Sequence, residues 1–132
     1  MLEAVRFDKS KHYEIVKSWA LEYGMEIEEA LTSPYGTFIP GKGVLFLFKG
    51  EGTGIGYFSN LILSRSIKDS AERQAVVVAL GMGIKKLAKD LKLKQIHVDT
   101  KFDMVAKAAL EGGFQLEPEM CYKLIYYVED SE

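Results

Sequence analysis

The sequence predicts a mixed α/β domain with helices on both faces of a sheet of six to seven strands, and three observations carry that expectation. The first is the stretch Gly54 to Asp99, where strand-like and helix-like patterns alternate. Tyr57 to Ser64 is rich in β-branched and aromatic residues, as in a strand, and Arg65 to Ser70 is polar apart from Ile67. From Ala71 the apolar residues take helical spacing, with Val76, Leu80, Ile84, Leu87 and Leu91 on one face. Lys92 to Lys94 breaks that spacing before a second strand, Gln95 to Asp99. The second observation is Val44 to Phe48, apolar at every position, which predicts a strand covered on both faces in the middle of the sheet. The third is size: 132 residues, 48% of them hydrophobic, make one domain (1–132) with a core that needs no staples.

A strand, a helix and a strand in this order form a right-handed crossover between parallel neighbours. The loop after the first strand then meets the N-terminus of the helix, where free N–H groups and the helix dipole favour an anion. Function is therefore expected at Ser64 to Arg73.

The remaining elements follow in chain order. Leu2 to Phe7 is a first strand. Asp8 or Ser10 caps a helix that runs to about Tyr23, with Ile15, Val16, Trp19, Ala20 and Tyr23 as its buried stripe and Gly24 as its stop. Met25 to Leu31 reads as a second short helix, ended by Thr32-Ser33-Pro34 because the residue before a proline avoids the helical region. Gly36 to Pro40, Val44 to Phe48 and the strand from Tyr57 form a meander across turns at Gly41-Lys42-Gly43 and Gly50-Glu51-Gly52. Thr100 to Asp103 reads as a capping box for a helix to Leu110, ended by Gly112-Gly113. Phe114 to Glu117 and Met120 to Val128 are a terminal hairpin. Gly81-Met82-Gly83 is not a phosphate loop, since only Ile84 to Lys94 would then remain to span the sheet. About 20 residues at 1.5 Å each are needed for ~30 Å. These glycines belong inside the helix, each costing ~1 kcal/mol against alanine, with close packing on the sheet as the return.

The net charge of −2 gives no basic face for nucleic acid. The lone Cys121 allows neither an internal disulfide nor a cysteine-based zinc site, and no metal is expected. With no apolar run of ~18 residues and no signal-peptide core in Met1 to Ser10, the expected setting is cytoplasmic, away from membranes.

The element order, the residues from Leu61 to Phe114, and Gly113-Phe114 opening the terminal hairpin resemble the GNAT superfamily of acyl-CoA N-acyltransferases. The turn at Ile39-Pro40-Gly41 and the Asn60–Arg73 stretch look most like small GNAT-like proteins of bacteria and phages. The resemblance implies that the strand ending at Leu63 splays from Gln95–Asp99 and that the pantetheine of acetyl-CoA lies in the gap. Backbone groups of Leu61, Ile62 and Leu63 would then pair with the pantetheine amides. The pyrophosphate would sit on amides of Ser66, Ile67, Lys68, Ser70 and Ala71, with Arg65, Lys68 and Arg73 as cations. Asn60 or a water would assist deprotonation of an unidentified amine. Tyr122 is the best substitute for a general acid, although its strand position also suits plain packing. Glu26, Glu28 and Glu29 would face a cationic acceptor, or simply solvent. Arg73 would hold a phosphate or pair with Asp69 or Glu72. His97 is read as a satisfied inner-strand residue.

Two departures stand out. The family's loop is Gln/Arg-x-x-Gly-x-Gly/Ala, whereas here Arg65-Ser66-Ile67-Lys68-Asp69-Ser70 has lysine and serine in place of the glycines and adds an acid. The family's frequent Asn and Tyr before Gly-Phe fall on Phe102 and Ala109. Two functions are therefore expected. One is acyl-CoA-dependent N-acetyl transfer to an amine, by direct attack on the thioester. The alternative is a non-catalytic GNAT-like binding or assembly protein, phage-encoded in one version. The partners are acetyl-CoA and the acceptor, with a homodimer left open.

Overall fold

The apolar run Val44–Phe48 lies in the middle strand of a sheet ordered β1 (Val5–Arg6), β2 (Gly36–Ile39), β3 (Gly43–Lys49), β4 (Ile55–Leu63), β5 (Gln95–His97). The computed structural model describes residues 2–29, 32–50, 52–100 and 102–116. The first four strands pair antiparallel in sequence order, and β4 pairs with β5 in parallel, as the strand–helix–strand reading requires. Three helices occur among the described residues: α1 (Lys9–Glu22), α2 (Ser70–Asp90) and α3 (Asp103–Glu111).

Alternation along β3 sorts the core into two halves. Val44 and Phe46 join Phe7, Phe38 and Ile62 beneath Val16, Trp19 and Ala20 of α1. Leu45 and Leu47 join Val76, Val77, Leu80, Ile84 and Leu87 of α2, with Val105 and Ala108 of α3 packed alongside. Helices therefore cover both faces, as expected. No described helix is long and apolar enough to cross a membrane.

The sheet has five strands among the described residues, rather than six to seven. Phe114 to Leu116 does not pair as a strand, and the Phe114 ring instead meets Phe58 edge-on at 5.4 Å. The rest of the expected hairpin, with Tyr122 and Cys121, lies outside the described residues.

The buried stripe of α1 is Tyr13, Val16, Trp19 and Ala20, while Ile15 and Tyr23 are 42% and 41% exposed. Asp8 caps the helix by accepting from the Ser10 N–H (3.0 Å) and hydroxyl (2.7 Å). The Ser10 hydroxyl bond, above all, holds the Asp8 carboxyl below its usual range. Gly24, at φ +73°, closes a Schellman motif in which Met25 N–H reaches Ala20 C=O (3.0 Å) and Gly24 N–H reaches Leu21 C=O (2.9 Å).

The short helix expected at Met25–Leu31 is absent from its described part, which is irregular chain with a single 3₁₀ position at Glu29. Side chains take the carbonyls that a helix would use. The Tyr13 hydroxyl donates to Ile27 C=O, Lys9 Nζ to Glu29 C=O and the Thr32 hydroxyl to Glu28 C=O. The capping box at Thr100–Asp103 is likewise replaced. Thr100 Oγ1 accepts from Phe102 N–H at 3.1 Å, a local turn, and Phe102 stands at the cap of α3 with no side-chain bond.

The two glycines in α2 differ. A Cβ on Gly83 would come within 2.7 Å of Thr37 Cγ2, so helix and sheet pack there as expected. A Cβ on Gly81 would meet nothing within 4 Å among the described residues. Gly81→Ala should accordingly stabilise the chain by about 1 kcal/mol through helix propensity. Gly83→Ala should lower the melting midpoint, since Thr37 is held by its bond to Leu80 C=O (3.0 Å). Thermal unfolding of both variants checks the pair, and a shift of the same sign in both would contradict this packing.

Candidate acyl-CoA site

The parallel register of β4 and β5 covers only Ile55↔Gln95, Gly56↔Ile96 and Tyr57↔His97. Beyond it β4 continues to Leu63, while Val98 to Thr100 leave the sheet. The separation opens a cleft of about 890 Å³. Its walls are β4 from Phe58 to Leu63, the segment Val98–Thr100, Met104 and Val105 of α3, Arg73 of α2, and Tyr23 with Met25 to Glu28.

A bulge shapes the β4 wall. Val44 pairs with Ile62 and Phe46 with Ser59, so Asn60 and Leu61 together stand opposite Leu45. Asn60 takes φ +57°, a left-handed conformation that asparagine tolerates better than most residues. The extra residue resets the alternation, so that Phe58, Leu61 and Leu63 all pack in the α2 half of the core. Ser64 N–H donates to Lys42 C=O (2.8 Å) and Gly50 N–H to Ile55 C=O (3.1 Å). Antiparallel alternation from these two bonds turns the backbone of Ile62 toward β3 and that of Leu61 and Leu63 toward the cleft. Of the three residues expected to present backbone groups, Ile62 therefore does not. The carbonyl of Leu63 already accepts from the Tyr23 hydroxyl at 2.8 Å.

The loop before α2 divides in the same way. Ser66 N–H donates to Ser64 Oγ (3.3 Å), and Ile67 N–H to Ser64 C=O (3.2 Å) over a buried Ile67 side chain. Asp69 caps α2, its carboxylate accepting from Glu72 N–H (3.1 Å) and its carbonyl from Arg73 N–H (3.0 Å). The amides of Lys68, Asp69, Ser70 and Ala71 donate to no acceptor among the described residues. Open N–H groups thus remain at the start of the helix, but not at Ser66 and Ile67.

The cations separate too. Arg65 donates to Glu22 C=O (2.7 Å) and lies 5.4 Å from the centre of the Tyr23 ring, tying the loop to the end of α1. Arg73, half-buried in the cleft wall, has no ion-pair partner among the described residues, because Glu72 is taken by Lys42. Glu26 and Glu28 line the cleft. Glu29 is not in that lining, and its carbonyl accepts from Lys9 Nζ. His97 is exposed rather than an inner residue, tilted against Tyr57 at 5.7 Å.

Sequence reasoning missed Tyr23, Asp99 and Phe102 as cleft residues. The signal available for Tyr23 was its position next to the helix-stopping Gly24, which directs it off the buried stripe.

A sheet that parts between a bulged strand and its parallel neighbour, with a helix N-terminus at the mouth of the gap, defines an acyl-CoA N-acyltransferase (GNAT) fold. Solved structures similar to this chain bear that out. A probable acetyltransferase from meticillin-resistant Staphylococcus aureus superposes with TM-score 0.61 at 13% identity, over 96% of this chain and 100% of that one. An aminoglycoside acetyltransferase from an uncultured soil metagenomic sample, in complex with sisomicin, gives TM-score 0.61 at 10% identity, covering 97% of each chain. An acetyltransferase from Trypanosoma brucei gives 0.56 at 11% identity, over 94% and 100%. At such identities the likeness establishes the fold and nothing finer. No family model and no curated protein matches the sequence.

The Tyr23–Leu63 hydrogen bond joins the end of α1 to the cleft rim. Tyr23→Phe should destabilise the chain by about 1 kcal/mol, the net value of one such bond. A denaturant midpoint unchanged by the substitution would show that the rim does not depend on it.

Proposed function

We propose that the chain is an acyl-CoA-dependent N-acetyltransferase acting on a small amine. The observation that carries this reading is the gap between β4 and β5, bounded by open backbone groups on one wall and lined by Arg73 from the first turn of α2, whose preceding Lys68–Ala71 amides have no acceptor among the described residues. These features suit the parts of acetyl-CoA separately. Arg73, the amides of Lys68, Ser70 and Ala71, and the Lys68 ammonium suit the pyrophosphate. The backbone of Leu61 and the N–H of Leu63 suit the extended, amide-bearing pantetheine.

The acceptor enters among Glu26, Glu28 and Asp99, whose carboxylates favour an amine arriving as an ammonium ion. An acceptor of the charge carried by sisomicin, bound by a protein of the same fold, suits that lining. The amine must then lose a proton, and Asn60, exposed at the bulge, orders the water that takes it. In the transfer, nitrogen attacks the thioester carbonyl, the N–C bond forms as the C–S bond breaks, and one proton moves to sulfur. Tyr122 gives its proton to sulfur and regains one from the acylated nitrogen, so the net transfer is from nitrogen to sulfur; a phenol near pKa ~10 suits a departing thiolate.

A second reading, a non-catalytic module with this fold, draws on the loop. The Asp69 carboxylate places an anion beside the open amides, and Ser64 already holds those of Ser66 and Ile67. Ligand binding separates the two. Acetyl-CoA at about 100 times its Kd should add about 2.7 kcal/mol of stability and raise the melting midpoint by several degrees. Arg73→Glu should abolish that rise while leaving the free protein's midpoint nearly unchanged. A flat acetyl-CoA titration favours the non-catalytic module.

A further inference from the structure

Between β4, α2 and α3 lies a second cavity, of about 50 Å³, walled by Phe58, Leu61, Val77, Val105 and Ala109 and by the bare backbone of Gly81. Phe58, Leu61 and Val105 also wall the large cleft, so the cavity abuts it at the β4 bulge. Glycine inside a helix is disfavoured against alanine, and the two glycines of α2 differ in what requires them. Gly83 is required by its close approach to Thr37, whereas a Cβ on Gly81 would meet no atom of the described residues within 4 Å. Gly81 thus lines the cavity without a side chain that could fill it.

Resting on the acyltransferase reading above, we infer that this cavity receives the distal carbons of the acyl group, making the preferred donor a short-chain acyl-CoA longer than acetyl, with Gly81 setting the length. An apolar cavity of roughly 150 Å³ holds a benzene ring. One-third of that volume therefore takes about two carbons. Added to acetyl, they make a donor of about four carbons. The chemistry of transfer is unchanged: the N–C bond forms, the C–S bond breaks, and the proton passes from nitrogen to sulfur. The apolar lining offers no partner to a carboxylate, so a dicarboxylic acyl group such as succinyl is rejected.

Calorimetric titration of the whole chain with CoA, acetyl-CoA, butyryl-CoA, succinyl-CoA and octanoyl-CoA tests this. Butyryl-CoA should bind roughly tenfold more tightly than acetyl-CoA, from two buried methylenes. Octanoyl-CoA should gain nothing more, and succinyl-CoA should bind more weakly than butyryl-CoA. Gly81→Val should bring the butyryl-to-acetyl ratio to about one. Gly81→Ala, which adds only the Cβ, should give an intermediate ratio and serves if the valine variant does not fold, melting midpoints being measured for both. Equal binding of acetyl-CoA and butyryl-CoA by the unaltered chain overturns this inference and leaves the acyltransferase reading standing. So does a tenfold ratio that survives in either folded variant. Failure of every CoA compound to bind overturns both.

Discussion

The parting of β4 from β5 is the constraint on which the site depends. Parallel strands this close would normally exchange hydrogen bonds along their shared length, and these stop after Tyr57 and His97. The bulge at Asn60–Leu61 lies just beyond that point. One extra residue bends a strand and increases its local twist. The bend explains how β4 keeps its antiparallel ladder with β3 as far as Leu63 while its other edge faces the cleft. The same insertion returns Leu61 and Leu63 to the apolar face, so the opening costs the core nothing in burial pattern.

Around that opening the chain places groups of opposite character. The start of α2 offers N–H groups and Arg73, while Met25–Glu28 and Asp99 offer carboxylates. The irregular run after Gly24 matters here. Because the Schellman turn ends α1 and side chains take the following carbonyls, Glu26 and Glu28 come to line the cleft. Arg65 and Tyr23 join this segment to β4 and to the loop before α2, so the two charged regions share a support.

Much of the scaffold was legible from residue pattern. The unbroken apolar run at Val44–Phe48 requires cover on two faces, and the 3.6-residue spacing from Val76 to Leu87 requires a helix lying on a sheet. Both hold, because burial of such sets admits few arrangements. The details that escaped are those where local pattern competes with tertiary hydrogen bonds. Met25–Leu31 has helical composition, yet Tyr13, Lys9 and Thr32 bind its carbonyls from outside. Thr100 has the spacing of a cap, but its hydroxyl serves a turn. Ile15 has the spacing of the buried stripe yet lies exposed on its flank, because an amphipathic stripe does not by itself say which edge of it meets the sheet.

The sequence by itself determined the layer order and the parallel crossover and pointed to Ser64 to Arg73 as the place to look, since periodicity and turn chemistry are local properties. Only the tertiary structure decided which backbone groups there remain free, that Arg65 braces α1 while Arg73 faces the cleft, and that Gly81 borders a void whereas Gly83 fills a contact. Those outcomes depend on strand register and on atoms distant in the chain, and no local pattern encodes either.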